Sequence, residues 1–74
     1  MSKKLEMYIM TLEDDKRRYK KDYLAQRKAY DALRDKSTPF AEDIARLIEY
    51  SDSMAGAVDE MLEKAKAEAG QEEA

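Results

Sequence analysis

The chain has 74 residues, 42% of them charged, with one proline, two glycines, and neither cysteine nor histidine. That removes disulfides, thiolate chemistry, imidazole bases and the two best zinc ligands, leaving oligomerisation as the usual support for so small a core. The net charge of −3 hides an asymmetry. Residues 1–36 carry eleven Lys/Arg against seven Asp/Glu, and residues 37–74 carry three against ten. A uniformly basic nucleic-acid binder does not look like this, and two halves of opposite sign attract each other when laid side by side.

Met1 to Lys4 holds two lysines with no uninterrupted apolar stretch behind them, so no secretory signal is expected. No apolar run approaches the ~20 residues that cross a bilayer. The expected location is cytoplasmic, with no membrane partner.

From about residue 3 to 35 the spacing predicts a long amphipathic helix. Leu5, Ile9, Leu12, Lys16, Tyr19, Tyr23, Gln26, Tyr30 and Leu33 step by alternating fours and threes, the heptad seam of a coiled coil. Residues 36–38 then break the pattern before Pro39. Proline disfavours helical geometry at Thr38 but suits a first helical position, which makes Thr38 the N-cap. A second helix is expected over about 39–69. Its seam reads Phe40, Ile44, Leu47, Ser51, Met54, Val58, Met61 and Ala65. Gly70 reads as a stop, leaving a frayed acidic tail over 70–74.

Folding about Pro39 brings the two seams into one register. Gln26 falls opposite Leu47, Tyr23 opposite Ser51, Tyr19 opposite Met54, Lys16 opposite Val58 and Leu12 opposite Met61. The expected fold is therefore all-α: a single-domain antiparallel two-helix hairpin, coiled-coil-like. Beside its seam the second helix carries a further row at seven-residue spacing: Ala41, Ile48, Ala55, Leu62 and Ala69. A stripe this wide suits a helix with more than one neighbour. Dimerisation into a four-helix bundle is the simplest closed solution. The stems of Lys20, Arg27 and Arg34 laid over the row are the alternative cover.

Nothing suggests catalysis, a cofactor or a metal. Serines 37, 51 and 53 have no base beyond carboxylates and lysines, and a helical hairpin supplies no walled pocket. The acids Glu13, Asp14, Asp15, Asp59, Glu60 and Glu63 read as solvated faces making ion pairs, with Glu60/Lys64 an i,i+4 pair. Lys16 in the seam is a costly polar position that fixes register, with Asp59, Asp15 or Asp22 as its partner.

Two surfaces remain as binding candidates. Met7, Tyr8, Met10, Met61 and Leu62 gather at the open end, and with Ile48 and Ala55 form the expected interface for assembly or docking. Arg17, Lys20, Lys21 and Lys28 form an outward basic ridge for electrostatic recognition of an anion or an acidic partner. Size and style are similar to small helical regulators, assembly factors and inhibitors of bacteria and their phages, although no motif singles out a family. The expected function is a non-enzymatic, homo-oligomeric interaction module that regulates or inhibits a partner, most simply as a dimer. Binding of nucleic acid or a phosphorylated ligand along the ridge is the alternative, and a scaffold component of a larger assembly is the third.

Overall fold

The computed structural model describes residues 2–73, with side chains described for 2–71. It is all-helical: α1, Lys3–Asp31, and α2, Pro39–Glu73, pack against each other. Contacts between them run in opposite sequence order, from Gln26–Ser51 through Lys16–Asp59 to Glu13–Lys66. The pair is 55 Å long and 14 Å across.

Capping explains where the helices begin. Ser2 Oγ accepts the Leu5 N–H at 3.2 Å, and Thr38 Oγ1 accepts the Ala41 N–H at 3.1 Å. Each hydroxyl satisfies one of the four N–H groups a helix start leaves unpaired. Thr38 is the cap expected from Pro39; Ser2 was not anticipated as one.

The ends differ from expectation. α1 stops at Asp31, not near 35, because a local network competes with the helix. The Leu33 N–H bonds Tyr30 O at 3.1 Å, three residues back, which tightens the last turn. Lys36 Nζ then donates to Leu33 O at 3.1 Å. The Asp35 carboxylate accepts both the Ser37 N–H at 2.9 Å and the Ser37 hydroxyl at 2.6 Å. Those two bonds hold the Asp35 carboxyl below its usual range. At the other end α2 runs through Gly70, which has no positive φ, to Glu73. Ala74, last residue of the expected tail, lies outside the described residues.

Neither glycine is needed by its backbone. A Cβ added at Gly56 meets nothing within 4 Å, and glycine in a helix interior costs ~0.5–1 kcal/mol relative to alanine. Gly56→Ala is expected to raise the midpoint of thermal unfolding, followed by circular dichroism, by about 3–6 °C.

Burial shows which faces meet. Leu5, Ile9, Leu12, Lys16, Tyr19, Tyr23, Gln26 and Tyr30 of α1, and Leu33 just beyond its end, are buried or half-buried. On α2 the buried face runs Ala41, Ile44, Ile48, Ser51, Ala55, Val58, Leu62, Ala65 and Ala69, again by threes and fours. Half of the expected α2 seam is therefore correct: Ile44, Ser51, Val58 and Ala65. The other half changes places with the row beside it. Ala41 is 0% exposed where Phe40 is 63%, and Leu62 is 6% exposed where Met61 is 43%. Volume favours the exchange where Ala41 replaces Phe40 and Ala55 replaces Met54, although Ile48 and Leu62 are no smaller than Leu47 and Met61. α1 brings Tyr19, Tyr23 and Tyr30 to the contact, and the helices approach closely only if α2 answers with small side chains. Leu12, Val58, Leu62 and Ala65 form the buried cluster, with Leu5, Ile9 and Tyr19 packed on it.

Candidate functional site

The exchange of rows leaves a continuous apolar stripe on the outside of α2. Phe40, Leu47, Tyr50 and Met61 are exposed large side chains, with half-buried Met54 and exposed Ala57 between them. With Asp43, these positions step by threes and fours, so the stripe is a second heptad seam on one helix. Isolated surface hydrophobes are ordinary; a periodic row of them is not.

Of the residues expected to form an interface, Met61 lies on this stripe. Leu62 is buried between the helices and Ile48 and Ala55 are half-buried on the face toward α1. Their row is thus the intramolecular one and not the outward one. Met7, Tyr8 and Met10 are exposed, as Tyr8 at the seam's edge was expected to be. Sequence reading missed Phe40, Leu47 and Tyr50 as surface residues, and also Leu24, which is exposed among the lysines of α1.

The opposite edge of the pair is ionic. Lys16 Nζ meets the Asp59 carboxylate at 2.5 Å, and Lys66 reaches Glu13 at 3.9 Å. Both bonds cross from one helix to the other, as the unequal charge of the two halves suggested. The Lys16 hydrogen bond, then its charge, holds the Asp59 carboxyl below the usual range, aided more weakly by Lys20 and Lys66. Beneath the surface the Ser51 hydroxyl donates to Gln26 Oε1 at 2.9 Å. Gln26 therefore meets Ser51 and not Leu47, and the polar positions of both seams share one hydrogen bond.

The basic ridge is only partly available. Arg17 pairs with Asp14, and beside the ridge Arg18 pairs with Asp15 at 3.0 Å, each a helical i,i+3 neighbour. Lys20, Lys21 and Lys28 are exposed without an ion pair among the described residues. Glu60 and Lys64 do not pair with each other as expected, and Asp43 and Arg46 are likewise outside every ion pair among those residues. No enclosed cavity, and no group of three or more carboxylates close enough to hold a metal ion, occurs among the described residues. No helix among them is long and apolar enough to cross a membrane.

The geometry defines a pair of packed helices with one apolar face left open. Comparison of the chain with protein-family models, with curated proteins and with solved structures finds no match.

Proposed function

We propose that this chain is a non-enzymatic interaction module, an antiparallel coiled-coil hairpin that works as an oligomer and regulates or inhibits a partner macromolecule. The observation that carries the reading is the exposed stripe from Phe40 to Met61. A helix in contact with one neighbour needs one apolar seam; α2 has two. The second is the natural seat of another helix, laid in a groove by anchors at i, i+3, i+4 and i+7. The methionines suit such a role, because their flexible thioethers adapt to the surface they meet.

Immobilised wild-type chain is expected to retain a partner from host lysate, whether a second copy or a different protein. Phe40→Asp/Leu47→Asp is expected to lose it with the helical circular-dichroism signal unchanged, since neither side chain supports the contact with α1. Undiminished capture by the variant removes the proposed face.

A further inference from the structure

We propose that a second copy of this chain covers the outer stripe, the two α2 helices lying side by side in opposite directions about a two-fold axis. This rests on the reading of α2 as an interaction face and names what occupies it.

Area comes first. The exposed surface is 5855 Å² for 8.6 kDa, whereas a compact monomer of that mass exposes ~4,700 Å². The excess of ~1,100 Å² follows from the 55 Å by 14 Å shape and from a core with no fully buried large side chain. Phe40, Leu47, Tyr50 and Met61 each leave on the order of 100 Å² open, so two copies together hide ~800 Å² of large apolar surface. Flanking residues carry the total past the ~1,000 Å² a specific interface needs. The stripe is thus large enough for a stable homodimer.

Charge then sets the direction. In the opposed heptad register, layers pair Leu47 with Ala57 of the second copy, large against small, Tyr50 with Met54 of the second copy, and Asp43 with Met61 of the second copy. That alignment puts Arg46 across the edge from Glu60 of the second copy, and Asp43 beside Lys64 of the second copy. Two-fold symmetry makes each pair twice. None of these four side chains has an ion pair within its own chain among the described residues. Running the helices in the same direction instead sets the seam positions Asp43 on Asp43 and Lys64 on Lys64, and takes Arg46 away from Glu60 of the second copy. Four attractive pairs replace two repulsive ones, and the opposed direction wins. Ser53 lies at the symmetry centre, facing itself.

The test is sizing by light scattering at about 100 µM, a concentration that fills even a weak micromolar dimer. The wild type is expected at twice 8.6 kDa, and Leu47→Asp at the monomer mass. Arg46→Glu and Glu60→Arg are each expected to weaken dimerisation roughly tenfold, since each turns two attractive pairs repulsive. Combining them is expected to restore it, which only the opposed direction allows. Ser53→Cys is expected to crosslink to itself under mild oxidation. A wild-type monomer, a dimer that Leu47→Asp leaves intact, or a double variant as weak as the singles overturns the proposal. Should Leu47→Asp lose its helices, the charge exchange decides, because Arg46 and Glu60 lie outside both apolar rows. A wild-type monomer whose partner capture still depends on Phe40 and Leu47 removes the second copy and leaves the interaction module standing.

Discussion

Leu62→Ala is expected to unfold most of the chain at temperatures where Met61→Ala, one residue away, changes little. Leu62 is buried among Leu12, Val58 and Ala65, and truncating a buried leucine costs ~2–5 kcal/mol because packing and transfer energy are lost together. A domain of this length has about 4–11 kcal/mol in total. The midpoint of thermal unfolding should therefore fall by 10 °C or more. Met61 points outward, and its truncation in the separated chain removes surface that water already covers. Circular-dichroism melts of both variants, at a concentration where light scattering gives the monomer mass, make the comparison. Equal losses from the two substitutions would mean that α2 presents a different face to α1.

The second large effect has the opposite sign. Lys16→Leu is expected to stabilise the helix pair by about 1 kcal/mol. Lys16 occupies a seam position with its side chain 33% exposed, so a leucine there buries most of the ~1.5–3 kcal/mol worth of apolar surface a core leucine hides. What it gives up is one half-exposed ion pair to Asp59, and such pairs contribute ~0–1 kcal/mol. The substitution also changes the acid limb. The lowered Asp59 carboxyl lends stability that is present above the ordinary carboxylate value near ~3.9 and lost as pH falls through the lowered folded value. Lys16→Leu should melt higher at pH 7 and lose less between pH 5 and 3. A variant that melts lower than wild type at pH 7 would show that Lys16 sets the alignment of the helices, as a lone polar residue in a seam can.

Much of the architecture is legible in the residues. Pro39 marks the start of α2 and Thr38 its cap, and the α1 seam is readable to the last position because only one apolar row exists there. α2 was ambiguous for a physical reason. Two rows of equal period lie one residue apart, and period alone does not say which faces inward. Phe40, Leu47, Met54 and Met61 look more like core than Ala41, Ile48, Ala55, Leu62 and Ala69, and a hydrophobicity ranking picks the wrong one. The missing signal was volume: three tyrosines on the facing seam ask for alanines opposite. The early end of α1 was hidden for another reason. Asp-Ala-Leu-Arg-Asp carries no Gly or Pro to stop a helix, and the bonds among Tyr30, Leu33, Asp35, Lys36 and Ser37 divert it. Candidate surface residues inherited the error in row assignment. Tyr8 and the ridge lysines are exposed as read, whereas Leu62 lies inside and Met61, Phe40 and Leu47, read as seam residues, lie outside with Tyr50.

The buried cluster ties Leu12 to Val58, Leu62 and Ala65, so it sits at the end of the rod away from the connection. On a ribosome, α1 is complete long before its best partner exists. Closure on the cluster thus waits for residues 58–65 and runs away from the bend. Until then an amphipathic α1 waits with its apolar side uncovered, and a nascent chain of this kind depends on speed, or on a chaperone, to avoid the wrong neighbour.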